Sequence, residues 1–171
     1  MICPTCGHDN VPGSEQCTNC LHDLTQLDRP IAQDRVERSL MEDPVSVLNP
    51  GRAVTLPPTA TVGEAMQTML ARNIGALLIV ADNGKLVGIF SERDLLTKVA
   101  GAEPDCAARP VREYMTPNPE TVRQTDSLGF ALHKMDVGGY RHLPVIKDGQ
   151  PLGMISVRDM LRHITQLCKD R

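Results

Sequence analysis

Apolar positions along the chain change period in a fixed order, and that order occurs twice. Val62, Ala65, Met66, Met69 and Leu70 fall at i, i+3, i+4, i+7 and i+8, the stripe of an amphipathic helix. Thr61 and Glu64 have the spacing of a capping box at its start. An unbroken apolar run, Leu77 to Val80, predicts a buried strand. Asp82-Asn83-Gly84 then predicts a hairpin turn. The stretch Val87 to Leu96, VGIFSERDLL, reads as a second strand, a Ser-x-x-Asp corner and a helix start. Downstream, Leu128, Ala131, Leu132 and Met135 repeat the helix from a start at Asp126 or Ser127. Leu143 to Ile146 repeats the strand, Lys147-Asp148-Gly149 the turn, and Gly153 to Leu161, GMISVRDML, the corner. Leu95, Leu96 and Val99, and Met160, Leu161, Ile164 and Leu167, supply apolar faces for the closing helices.

The two copies align with one gap. An offset of 66 pairs Thr55 with Thr121, Ala65 with Ala131, Met69 with Met135 and Leu77 with Leu143. After the hairpin an offset of 65 pairs Gly88 with Gly153, Ser91 with Ser156 and Asp94 with Asp159. Each unit has the order β-α-β-β-α. Two copies are too few for a solenoid and fit a pseudo-twofold pair. The expected class is α+β.

The first 24 residues follow neither period. Their spacing is Cys3-x2-Cys6, ten residues, then Cys17-x2-Cys20. Two Cys-x-x-Cys turns can present four thiolates to one ion, which suits Zn(2+). Iron is the rival ion, and two disulfides or free thiols are the alternatives. So short a segment cannot bury an adequate core alone, and metal binding would supply the folding energy. The stretch CPTCGHDNVPGSEQCTNCLHDL resembles short zinc ribbons of the form CPxCG…CxxCGxxL. Leu21 departs from that pattern, because Gly usually follows the last cysteine; a tighter or distorted second knuckle is expected. His8 and His22 read as surface residues.

Composition narrows the function. The chain has 171 residues, is 41% hydrophobic, lacks Trp and has two Tyr and two Phe, so its core must be aliphatic and Met-rich. A net charge of −3 offers nucleic acid no overall attraction. Residues 1–28 contain no Lys or Arg but carry Asp9, Glu15, Asp23 and Asp28, so the ribbon is expected to contact protein. No apolar run approaches the roughly 20 residues of a membrane span, and no secretory signal is visible. The expected location is cytoplasmic. Residues 25–43 read as a polar, solvated linker helix opened by Pro30, with a weak stripe of Ile31, Val36 and Leu40 and a basic cluster of Arg29, Arg35 and Arg38. The expected organisation is a zinc ribbon at 1–24, the linker helix at 25–43, and repeats at 44–104 and 105–171.

The repeats resemble the CBS domain, named after cystathionine β-synthase, on three stretches. RHLPVIKDGQPLGMISVRDML and IGALLIVADNGKLVGIFSERDLL match its strand–hairpin–corner signature, and VREYMTPNPETV its leading segment. The resemblance covers about Pro44 to Leu167. It implies a pair of repeats, called a Bateman module, that binds an adenine nucleotide or adenosyl ligand (AMP, ATP or related) between two sheets and regulates an attached or partner protein. A homodimer is expected.

A strand opening into a helix start favours anions, and Asp can accept from both hydroxyls of a ribose. The same Ser and Asp atoms also read as capping boxes. Carried over from the family, site one combines Ser91 and Asp94 with Thr116, Pro119, Tyr140, Arg141 and His142. Arg141 would meet phosphate and Tyr140 would stack on adenine. Site two combines Ser156 and Asp159 with Ala53, Thr55, Ile74, Gly75 and Ala76. Gly75 stands where Arg141 stands in the other copy, so site two is expected to be empty or to take a less charged ligand. The Ser91–Asp94 corner is expected to be the stronger phosphate binder. Arg93 and Arg158 lie inside the corners and are further phosphate candidates.

Motifs for enzyme chemistry are missing: no P-loop, G-x-S-x-G or H-E-x-x-H occurs, and Cys106 and Cys168 stand alone. No catalytic residues are expected. The rival readings are a dimerisation adaptor with collapsed clefts and a nucleic-acid regulator acting through the arginine cluster.

Overall fold

The computed structural model describes residues 1–25, 32–101 and 105–169. The chain divides into two compact units, Met1–Asp34 and Arg35–Arg171.

In the first unit, two matching turns are pinned by isolated bridges, Ile2 with Asp9 and Gln16 with Asp23. Cys3, Cys17 and Leu24 are its buried apolar residues, with Met1 packed against them. So small a core cannot sustain a fold by apolar burial alone.

In the second unit the first helix, α1, spans Arg35–Glu42. Pro30 and Ile31, expected to open it, lie outside the described residues. The helix is not a solvated linker. Ser39 is buried, and Leu40 packs against the apolar core of the second repeat. The Ser39 hydroxyl donates to Asp43 Oδ2 at 2.5 Å and lies 2.8 Å from His163 Nε2. A weak apolar stripe thus becomes a docked helix because a partner surface exists for it.

The repeats keep the expected β-α-β-β-α order, each with one further short strand in front. In the first, β1 (Gly51–Arg52) and β2 (Thr55–Leu56) precede α2 (Val62–Arg72), β3 (Ala76–Val80), β4 (Leu86–Ser91) and α3 (Glu92–Asp94). A π-helical turn, Leu95–Val99, continues α3. In the second, β5 (Thr116–Pro117) and β6 (Val122–Arg123) precede α4 (Leu128–Gly138), β7 (His142–Lys147), β8 (Gln150–Ser156) and α5 (Val157–Lys169). Thr61 forms its capping box with Glu64, and Ser127 caps α4 by accepting from Phe130 N. The register shifts within β3–β4 and β7–β8 fall at equivalent places, after Ile79 and after Val145.

Each sheet has four strands, in the orders β2-β3-β4-β5 and β1-β8-β7-β6. The repeats therefore exchange their leading strands. β1 pairs antiparallel with β8, and β5 with β4. The repeated glycines explain how. A Cβ on Gly153 would lie 2.6 Å from the Gly51 oxygen, and one on Gly88 would collide with the Met115 side chain. Each glycine leaves room for the other repeat's leading segment. Separate apolar cores fill the two repeats, aliphatic in the second and built around the buried Phe90 in the first, and Ala76, Leu78 and Ile89 with Ala53 and Met154 form a third cluster that joins them. Not every residue of the predicted stripes is core: Leu70, Leu96 and Leu161 are exposed. Among the described residues no helix is long and apolar enough to cross a membrane.

Candidate functional site

Two corners and one sulfur cluster hold the candidate residues. The corners share a local design. At the first, Asp94 Oδ2 accepts from Ser91 N at 2.9 Å and from Ser91 Oγ at 2.7 Å. At the second, Asp159 Oδ2 accepts from Ser156 N at 2.8 Å and from Ser156 Oγ at 2.6 Å. Both acids cap their helices, so the capping reading holds for one carboxylate oxygen of each. The function of the corner rests on the other oxygen.

Here the copies part. Asp94 Oδ1 accepts from Thr116 Oγ1 at 2.9 Å and pairs with Lys98 Nζ at 2.7 Å. Lys98 also donates to the Met115 oxygen, and Arg93 Nη1 donates to the Gly139 oxygen at 3.0 Å. Asp94 is 5% exposed. Burial opposes its charge, but Lys98, Ser91 and Thr116 outweigh it and hold the carboxyl below its usual range. This corner is completed by the chain itself. At the second corner, among the described residues, Asp159 Oδ1 meets only Arg162 Nη1, at 3.2 Å, and its side chain is 32% exposed.

The second corner opens into a cleft of about 670 Å³. Ala53, Ile74, Gly75, Ala76, Ser156 and Asp159 all line it, as grouped in site two; Thr55 does not. Thr55 pairs with Leu78 in the first sheet. Two residues grouped in site one, Arg141 and His142, also line this cleft. The reason is strand pairing: His142 lies opposite Ser156 in the β7–β8 ladder, and Arg141 accepts from Val157 N through its carbonyl. Gly75 supplies no cation, but Arg52, Arg141, Arg158 and Arg162 do. The Glu92 carboxylate lies against Gly75, where a Cβ would sit 3.3 Å from it. Burial, together with the Arg141 and Arg158 cations, lowers the His142 pKa, against the pull of Glu92 and Asp159.

The remaining site-one residues do not line this cleft. Thr116 bonds Asp94, the Tyr140 ring packs back over Gly138, and Pro119 is half-buried just beyond β5. The stronger phosphate binder is expected at Ser91 and Asp94; in the structure Lys98 and Thr116 meet Asp94 Oδ1, while the cleft lies at Ser156 and Asp159. Arg52, Arg162, Met66, Leu70 and Glu92 also line the cleft without having been singled out for it. Arg162 had a signal, lying one turn after Arg158 on α5. Met66 and Leu70 carried none, because cleft wall and core share one periodicity.

In the first unit the ligand atoms of Cys3, Cys6, Cys17 and Cys20 lie within 4.8 Å of one another. Cys3–Cys20 and Cys6–Cys17 sulfurs are 3.6 Å apart. A tetrahedral S4 site with metal–sulfur bonds near 2.3 Å requires separations of about 3.8 Å. The donor set thus fits a thiophilic ion. Asn10, buried, donates from its amide to Cys17 Sγ at 3.6 Å and accepts from Thr18 N through Oδ1. The second knuckle is not distorted. Cys17 N bonds the His22 oxygen and Leu21 N the Cys17 oxygen, as Cys3 N bonds His8 and Gly7 N bonds Cys3. Leu21 accepts the left-handed φ of 60° that Gly7 takes at 72°.

With this geometry in hand, the comparisons are specific. The CBS domain family model matches residues 38–101 and 111–166. The chain belongs to the CBS-domain family. A CBS domain-containing protein of Arabidopsis thaliana is 35% identical over 120 residues, covering 70% of this chain and 22% of the relative. The chain thus spans about a fifth of that relative's length. The CBS-domain containing protein from Agrobacterium tumefaciens is similar in structure, with a TM-score of 0.62 and 34% identity, covering 66% of this chain and 90% of the other. A CBS domain protein from Pyrobaculum aerophilum, solved in complex with AMP, has a TM-score of 0.63 and 29% identity, covering 72% and 98%. The tandem CBS fold follows directly; both repeats, the exchanged strands and the cleft lie within the matched regions.

Proposed function

We propose that this CBS pair is a regulatory, non-catalytic sensor that binds an adenine nucleotide in the cleft at Ser156 and Asp159. The observation that carries the reading is the asymmetry of the corners: Asp94 is closed by Lys98 and Thr116, while Asp159 faces an open cleft built from both repeats. The AMP complex of the Pyrobaculum relative supports the ligand class. Ser156, the start of α5 and the surrounding arginines would hold phosphate, and Asp159 would receive the ribose hydroxyls. Ala53, Ile74, Gly75, Ala76 and His142 would line the ligand. Because the cleft is made by both repeats, a ligand there shifts their relation, or that of a homodimer, when it binds one arrangement better than another.

The four-cysteine element would hold Zn(2+) as a closed structural site, through Cys3, Cys6, Cys17 and Cys20, with no open position for catalysis. Its acidic sequence suits a protein partner in the cytoplasm better than nucleic acid. Isothermal titration with AMP tests the central reading. The wild type and Asp94→Ala release binding heat, and Asp159→Ala does not. No heat from the wild type at millimolar AMP would overturn the proposal.

A further inference from the structure

We infer that the cleft selects nucleotides by phosphate number, taking a nucleoside di- or triphosphate in preference to a monophosphate or an uncharged nucleoside. This rests on the reading of the cleft as a nucleotide site and adds the class of nucleotide. Four arginines line it from three places: Arg52 on β1, Arg141 at the foot of β7, and Arg158 and Arg162 one turn apart on α5. Arg162 is paired with Asp159. Among the described residues, the guanidinium groups of Arg52, Arg141 and Arg158 show no hydrogen bond or ion pair. The two acids on the wall, Glu92 and Asp159, are fewer than the cations.

One guanidinium can meet two oxygens of a phosphate at once through its planar fork. A single phosphate carries a charge of only about −1.5 to −2, less than the three unpaired cations, and it cannot reach all the elements that hold them. Two or three phosphates in series can meet all of them. The start of α5 adds its dipole on the same side. A cationic or neutral adenosyl ligand would leave the cations facing one another with no anion between them. The first corner offers a contrast within the same chain, since Arg93 is engaged with Gly139 and Lys98 with Asp94.

The test is isothermal titration of the full chain with adenosine, AMP, ADP and ATP at fixed low salt. Affinity should rise about tenfold with each phosphate up to the second, the scale of a charge-assisted hydrogen bond. In the Arg141→Ala/Arg158→Ala double variant, ATP affinity should fall to near that of AMP, with adenosine unchanged. Both residues are exposed, so the variant should keep its fold and melting temperature. Equal binding of AMP, ADP and ATP by the wild type would overturn the inference and leave the nucleotide site standing. An equal loss of adenosine and ATP in the double variant would also overturn it. Failure of all four compounds to bind would instead remove the nucleotide site itself.

Discussion

Asp94 and Asp159 occupy equivalent positions and cap equivalent helices, yet they have different free-energy roles. Asp94 is buried and receives Ser91, Thr116 and Lys98. Its removal takes away the helix cap, the acceptor of the Thr116 hydroxyl and the partner of the half-exposed Lys98 ammonium, so Asp94→Ala should cost about 1–3 kcal/mol. Asp159 loses only a cap and an exposed pairing, and Asp159→Ala should cost about 0.5–1 kcal/mol. Urea unfolding of the two variants should rank them in that order. The Asp94 carboxyl also titrates below its usual range in the folded protein. A lowered carboxylate pKa contributes stability that is present above the unfolded value, near 4, and is lost as pH falls through the folded value. The difference in unfolding free energy between wild type and Asp94→Asn should therefore be largest near neutral pH and shrink below about pH 4. A difference constant from pH 7 to pH 3 would contradict the pairing.

At the scale of elements, the structure resolves two local irregularities of the sequence. The second cysteine knuckle keeps the geometry of the first by holding Leu21 in the left-handed region. That conformation costs a non-glycine residue about 1–2 kcal/mol, and glycine would return about 0.5–1 of it as unfolded-chain entropy. The Leu21 side chain is 72% exposed and contributes little packing. Leu21→Gly should therefore stabilise the metal-loaded element by about 0.5–1 kcal/mol, read as greater resistance to chelator. The second case is the glycine shared by β4 and β8. At Gly153 the obstacle to a Cβ is backbone, the Gly51 oxygen, whereas at Gly88 it is the flexible Met115 side chain. Gly153→Ala should cost about 1–3 kcal/mol and Gly88→Ala less, as ranked by melting temperature. Gly153→Ala should also weaken ligand binding, because β1 carries Arg52 to the cleft.

For the molecule as a whole, stability is divided between two units of different kinds. The CBS pair has three apolar clusters, whereas the cysteine unit has Cys3, Cys17, Leu24 and Met1. With Zn(2+) held by the four cysteines as proposed, a strong chelator should collapse the amide resonances of residues 1–24 in a heteronuclear correlation spectrum. Those of the strands and helices of the CBS pair should stay in place. Loss of both sets would show that the second unit depends on the first. Both repeats contribute to the cleft, so a ligand bound there as proposed would stabilise their pairing by mass action.

The amino-acid sequence by itself determined the duplication, the β-α-β-β-α order, the helix caps and the sulfur cluster. All of these depend on residues a few positions apart, where periodicity and spacing carry the information. The tertiary structure decided that β1 and β5 change places between the sheets, that α1 docks rather than bridges, and which corner stays open. The Asp94–Lys98 spacing is visible in the chain, but the arrival of Thr116 to complete that pairing is not. Likewise, Arg141 reaches the Ser156 cleft because β7 is hydrogen-bonded beside β8. These outcomes follow from contacts between residues distant in sequence, for which local pattern has no signal. VGIFSERDLL and GMISVRDML are nearly the same text, and only their surroundings make one a finished joint and the other a cleft.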